Sequence, residues 1–307
     1  MTRKSFALDG ITLGTEASYG TIAETFTDSI GFINNADLNI SDEVRQMRHI
    51  KGGSDGMLVQ RNVDMLHTLS GTFETYPIDF KPLQYLMGAY TVASSVYTIT
   101  PSLTVKSLSM KANYDGTKIL QVLGLSFTKA TLQLRENEAV IINYDYVAKK
   151  ETSETATVTG ITPTKDPLTF LSGSVTVGGE AYKINTATFD FDFGAIAKRN
   201  IEAVSVGDER CITEVIKKNF NVSFNINADL ESVAEEYELY TGGASVQKDR
   251  TDLTIVGTFK DADGATHTMT ITGNRGTTFR RGYRTDGEVK NFDINGVGIT
   301  VSFSGAV

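Results

Sequence analysis

One cysteine, no tryptophan and five prolines in 307 residues set the first limits on this chain. A lone Cys211 excludes an intramolecular disulfide and every metal site built from several cysteines, which fits a reducing compartment. Long apolar runs are also missing. The longest are short, such as Ala139-Val140-Ile141-Ile142, so no segment is expected to cross a membrane. Residues 1–20 carry Arg3, Lys4, Asp9 and Glu16 and lack the apolar stretch of a signal peptide, so the expected location is the cytoplasm that makes the chain. Positive charge is in deficit, 29 Lys/Arg against 37 Asp/Glu for a net −8. That disfavours a protein that grips nucleic acid by neutralising phosphates. Residues 1–150 carry 14 basic against 15 acidic groups and the remainder 15 against 22, so the two halves have different surfaces.

Glycine is frequent at 28, threonine is abundant, and short segments alternate apolar with polar residues, which together mark an all-β chain. The clearest strands are Leu69 to Tyr76, Leu103 to Ala112, Ile119 to Phe127, Ala139 to Val147, Thr188 to Phe193, Phe220 to Ile226, Leu253 to Phe259, Thr266 to Thr272 and Gly298 to Phe303. Asp115-Gly116 and the run Asp261 to Gly264 supply the positive φ of tight hairpin turns. Two segments depart from the pattern. Pro77 to Gly88 places Leu83, Leu86 and Met87 on one side and stops at a glycine, predicting a short helix. Asp229 to Thr241 spaces Leu230, Val233, Ala234, Tyr237 and Tyr240 at helical intervals, with Asp229 as the N-cap and Gly242-Gly243 as the stop.

These two helices expose an internal repeat. Thr72 to Tyr76 answers to Val222 to Ile226, Gly88 to Gly242, Ser102 to Val105 answers to Asp252 to Ile255, and Gly116 to Gly264, at offsets of about 148 to 154 residues. The organisation expected is an arm at 1–20, a first domain at 21–150 and a linker or exposed hairpin at 151–165, then a second domain at 166–307. Each domain carries one long polar loop without strand character, 40–64 in the first and 195–218 in the second.

A search for chemistry finds none. His49, His67 and His267 have no metal-ligand spacing, and Cys211 has no neighbouring histidine in sequence. Asp261 to Gly264 lacks the third acidic position and closing Glu of a calcium loop, and Gly52 to Gly56 lacks the ending of a phosphate loop. Catalytic, cofactor-binding and metal-binding residues are therefore expected to be absent. Phe189-Asp190-Phe191-Asp192-Phe193 gives a strand with one aromatic and one acidic face. Arg275, Arg280, Arg281 and Arg284 form the one basic cluster and suit ion pairing between subunits better than nucleic acid.

Residues without catalytic meaning carry the strongest signal. They are Gly14 to Thr21 (GTEASYGT), Ser70 to Glu74 before a helix ending at Gly88, Pro101 to Val105, Asp115 to Ile119, Pro167 to Phe170 and Val177 to Gly179. In this order they resemble the tail tube proteins of long-tailed, non-contractile viruses. The resemblance implies two tandem β-sandwich tube domains, each with a short flanking α-helix, whose inner sheets join on assembly into a continuous barrel around a DNA channel. It implies a structural virion protein, made in the host cytoplasm. Its partners would be itself and other tail proteins such as the tape measure, tail terminator and distal tail proteins, and double-stranded DNA would pass through without specific binding. A sugar- or protein-binding β-sandwich of a viral fibre or adhesin is the alternative.

Under that resemblance the lumen candidates are Thr72, Glu74, Asn143, Asp145, Asn221, Ser223 and Asn225, and no membrane is involved. The contacts between subunits or rings would use Met47, Ile50, Met57, Leu58 and Val59 of the first long loop, together with the four arginines. Four inner strands per repeat, spaced about 4.8 Å and tilted about 40°, give rings of three chains a 24-strand barrel about 48 Å across at the backbone. Six chains would double that width.

Overall fold

The computed structural model describes residues 11–49, 58–113, 117–136, 138–156, 158, 163, 165–181, 183–198, 211–230, 252–261, 263–283 and 290–307. Most of them lie in antiparallel strands. In the first half these are β1 (Ile11–Thr15), β2 (Phe32–His49) and β3 (Leu58–Tyr76), then a 3-10 turn (Lys81–Leu83) running into the one-turn helix α1 (Gln84–Met87). β4 (Gly88–Ala93), β5 (Val96–Pro101), β6 (Leu108–Asn113), β7 (Ile119–Arg135), β8 (Ile141–Ala148) and β9 (Lys150–Glu154) follow. The second half has β10 (Thr169–Val177), β11 (Glu180–Ala181), β12 (Lys183–Asp192), β13 (Ile196–Lys198), β14 (Glu214–Ile216), β15 (Asn221–Leu230), β16 (Leu253–Lys260), β17 (Thr266–Tyr283), β18 (Lys290–Gly298) and β19 (Thr300–Ala306).

Eight strands form one continuous sheet in the order β2, β3, β8, β7, β12, β15, β18, β17. Two smaller groups flank it: β1, β6, β7 and β9 in the first half, and β10, β11, β16, β17 and β19 with β4 and β5 in the second. β7 and β17 each serve two sheets, their first part pairing in a smaller group and their second part in the large sheet. Each turns from one to the other at a glycine with φ 68°, Gly124 and Gly273, a backbone state that side chains with a Cβ disfavour.

The pairing scheme runs twice. β1–β6, β6–β7, β7–β9, β7–β8, β8–β3 and β3–β2 are matched by β10–β16, β16–β17, β17–β19, β17–β18, β18–β15 and β15–β12. Irregularities match as well. β7 bulges at Thr128, whose hydroxyl donates to Asp145 O at 3.2 Å, and β17 bulges at Thr277, whose hydroxyl donates to Asn295 O at 3.1 Å. Lys149 N bonds Leu123 O at 2.9 Å where Ile299 N bonds Thr272 O at 3.0 Å.

Buried side chains of both halves make one continuous core. Alternation accounts for it: in β8, Ile142, Tyr144, Tyr146 and Ala148 are buried and the residues between them are not. Phe191 on β12 meets Phe303 on β19 edge-to-face at 5.4 Å, and Phe80 lies 5.2 Å from both Phe259 and Phe303. Each such ring contributes about 1.5–3 kcal/mol by leaving water. The short helix expected before Gly88 is present, with Leu83, Leu86 and Met87 fully buried and Gly88 at φ 93° ending it.

Several expectations need correction. The first long loop, 40–64, is strand wherever it is described: β2 and β3 continue as a paired ribbon to His49 and Leu58, and 50–57 lie outside the described residues. In 195–218, β13 and β14 form a short ribbon, with 199–210 outside the described residues. Leu103 to Ala112 is strand only from Leu108; Leu103 itself is 70% exposed. The true counterpart of Leu253 is Leu108, since both start a strand at the same bulge, Leu108 opposite Leu125 and Leu253 opposite Asn274. Thr72 likewise corresponds to Asn225, 153 residues on, not to Val222: each lies opposite the matching residue of the next strand, Asp145 and Asn295. The helix expected from Asp229 loses its first two residues, which close β15 opposite Asn291 and Lys290, and 231–241 lie outside the described residues. Residues 151–154 of the expected linker pair with β7.

Candidate functional site on an open polar sheet

Among the described residues no three His, Cys, Asp or Glu side chains converge as a metal site, and no helix is long and apolar enough to cross a membrane. The feature that stands out is the face of the eight-strand sheet turned away from the core. Strand alternation places there every lumen candidate: Thr72, Glu74, Asn221, Ser223 and Asn225, and also Asn143 and Asp145.

Cross-strand register gathers them into rows. Glu74, Asn143, Thr131, Asp190 and Ser223 each lie opposite the next across five strands, and Thr72, Asp145, Lys129, Asp192 and Asn221 form the adjacent row. In these two rows four carboxylates stand against one ammonium. Lys129 Nζ is 3.1 Å from Asp190 Oδ1, which also accepts from Thr131 Oγ1 at 2.5 Å. Asp145 titrates above the usual carboxylate range, chiefly because burial disfavours its charge; Lys129 opposes this, and Asp192 and Asp190 add to it. Farther along, Asn225 donates to Asn295, and Asn227 donates to Asp293 Oδ1 at 2.6 Å. At the matching bulges Asn34 donates to Glu74, and Asn185 donates to Asn227 at 3.2 Å. The result is a carpet of amides, hydroxyls and carboxylates, many hydrogen-bonded to one another, interrupted by the cations of Lys129, Arg135 and Arg275 and by the half-exposed Val297.

The residues that sequence reasoning left out of this face are Lys129, Thr131, Asp190, Asp192, Asn227, Asp293 and Asn295. The alternation in Phe189 to Phe193 carried the signal for the two aspartates. Of the expected contact residues, Met47, Leu58 and Val59 lie in the β2–β3 ribbon, past the point where β3 stops pairing with β8 at Leu69; Ile50 and Met57 lie outside the described residues. Arg275 is bound within its own chain, Nε to Asp252 Oδ1 at 2.6 Å. Arg280 and Arg281 sit on β17 opposite Asp293 and Phe292, and Arg284 lies outside the described residues.

Away from these rows, the segment Thr15 to Tyr19 and the segment Thr213 to Lys217 line a cleft of about 660 Å³ with Tyr85 and Lys106. Glu16 anchors its first wall, accepting from Gly20 N, Gly124 N and Ser109 Oγ, each at 2.8 Å. Lys217 anchors the second. Its ammonium donates to Leu86 O and, at 2.9 Å, to Thr104 O, and lies 4.5 Å over the Phe193 ring. Burial, with Lys106 nearby, lowers its pKa to about 8.

A family model described as phage tail tube protein matches residues 10–305. The chain belongs to the phage tail tube protein family. No curated protein matches it. Membership gives the chain a structural role in the phage tail. In the Gly14 to Thr21 segment, Glu16 ties the chain to the bend of β7, Gly20 has φ 74°, and a Cβ on Gly14 would stand 2.0 Å from Thr25 O.

Proposed function

We propose that the chain self-assembles into stacked rings of three, forming the tail tube of a long-tailed, non-contractile phage, through which double-stranded DNA passes into the host. The observation that carries this reading is the eight-strand sheet, four strands from each half, open at both edges among the described residues and polar on one face. Three copies supply 24 strands, and at a spacing of about 4.8 Å and a tilt of about 40° these close into a barrel about 48 Å across at the backbone. A DNA duplex fits within it. The acidic, self-bonded face offers few phosphate contacts, so DNA would slide with little friction. The twice-run pairing scheme supports an internal duplication into two tandem tube domains, giving the ring threefold symmetry with approximate sixfold form. Assembly would take place in the host cytoplasm, with tape measure, terminator and distal tail proteins as the other partners.

Negative-stain microscopy and native mass measurement of the purified chain test this. Hollow tubes built from rings of three chains are expected; compact particles, or rings of six chains, would sink it.

A further inference from the structure

The large sheet ends in two open edges. Among the described residues β2 pairs with β3 alone, and residues 275–283 of β17 pair with β18 alone. The same two kinds of strand meet in the middle of the sheet. There β7, the counterpart of β17, pairs with β12, the counterpart of β2.

We propose that β17 of one protomer pairs with β2 of the next in the register of this internal join, placing Thr278 opposite Ser41, Arg280 opposite Asn39 and Gly282 opposite Asp37. The inference rests on the ring assembly proposed above and adds the bonding pattern of its joints.

The register follows from three alignments. β17 trails β7 by 149 residues: Ser126 faces Val147 as Arg275 faces Val297, and the bulges at Thr128 and Thr277 coincide. β12 trails β2 by 151 residues: Asp37 faces Thr72 as Thr188 faces Asn225, and the bulges at Asn34 and Asn185 coincide. The internal join sets Lys129 opposite Asp192, Thr131 opposite Asp190 and Gln133 opposite Thr188. Replacing each residue by its counterpart yields the three pairs named. A slip by one residue would turn every side chain of β2 to the wrong face, and a slip by two would break the coincidence of the bulges.

An independent observation points to the same edge. Ile40 is 51% exposed although it lies on the core side of β2. Its counterpart, Phe191, is fully buried, with β7 running beside it at Ala130 and the Phe303 ring 5.4 Å away. Leu38 repeats the relation with Phe189, which is also fully buried. Ile40 is a core position that lacks the strand its counterpart has, and the proposed register sets Phe279 of the neighbouring protomer opposite it. A large apolar residue exposed at a strand edge invites another strand, and a second copy of this chain carries the one that fits.

Paired cysteines test the register. In full-length chains carrying Cys211→Ser, Ser41→Cys with Thr278→Cys and Asn39→Cys with Arg280→Cys are in register, whereas Ser41→Cys with Gly282→Cys is four residues out. After assembly and mild oxidation, the in-register pairs should run as covalent multimers ending at a closed trimer on a denaturing gel, and the slipped pair should stay monomeric. Linking of the slipped pair in preference to the others overturns the register. If a cysteine pair blocks assembly, a reconstruction of tubes of the unsubstituted chain measures the offset directly, and any other offset overturns the proposal. Tubes in another register leave the ring reading standing; absence of rings from the unsubstituted chain removes that reading.

Discussion

Tyr97 and His267, 170 residues apart, meet across the join of the two halves, with the Tyr97 hydroxyl 2.9 Å from His267 Nδ1. The same hydroxyl accepts from Phe80 N at 3.1 Å. On the other side of the ring, His267 Nε2 lies 3.6 Å from Asp261 Oδ2. Burial is the main cause that lowers the His267 pKa below its usual value, with the Asp261 carboxylate opposing. Burial acts to raise Asp261, but Lys165 and the Ala265 amide outweigh it and hold this carboxyl low. Both groups resist protonation in the folded chain, and the unfolded chain takes up the protons first. Stability should therefore fall as pH drops below about 6.5, through the range where unfolded histidine is protonated, and fall again near the carboxylate range. Tyr97→Phe strands the Phe80 amide and should cost about 1–3 kcal/mol by chemical denaturation of the unassembled chain. An unchanged midpoint would show that this contact contributes nothing to the join.

Lys217 supplies a second pH signature of the same sign, on the alkaline side. Its folded pKa of about 8 lies below the unfolded value, so between about 8 and 10.5 the unfolded chain binds more protons. Stability should climb with pH across that window. Lys217→Met should flatten the climb, which thermal melts from pH 7 to 10 would read; an equal slope in the variant would contradict the assignment.

Added positive charge on the polar face, the proposed lumen, should make DNA stick to it. Glu74→Lys and Asn225→Lys, singly and together, are expected to leave tubes intact. They should add retained DNA in a filter assay, with each new phosphate contact steepening the log–log salt dependence by about 0.9. Tubes with unaltered DNA retention would place these residues away from the channel.

The β2–β3 ribbon extends past the sheet from Ser41 and Thr68 onward, with no further strand of the described chain beside it. Replacing 50–57 by a two-residue turn should yield a folded, soluble subunit that no longer forms tubes, seen as normal circular dichroism with empty micrographs. Normal tubes would show that the ribbon tip takes no part in assembly.

Much of this was legible in the sequence where one face of a strand is buried. Phe189 to Phe193 and Thr72 to Tyr76 alternate because the core takes every second side chain, and that alternation also placed all seven lumen candidates on one face. The ribbon was missed for the complementary reason. Asp42, Glu43, Arg45 and Gln46 lie where the pair of strands has left the sheet, so no apolar stripe is imposed on them. Repeat offsets were harder. Leu103 and Val105 imitate the apolar spacing of Leu253 and Ile255, yet the strand begins at Leu108, because extra residues intervene between β5 and β6. Contacts such as Lys217 with Leu86, 131 residues apart, leave no local pattern at all.

The β7–β12 join also bears on how readily a ring can form. Each association of free bodies costs roughly 4–15 kcal/mol in lost translation and rotation. A six-unit ring made from separate half-size subunits would meet that cost at five successive captures, whereas three fused pairs meet it at two. The remaining joints are made during folding, within one polypeptide, before any neighbour is encountered. In the proposed ring, covalent fusion would thus lower the subunit concentration at which closed rings outcompete open fragments, and it would fix the order of the two halves around the circle.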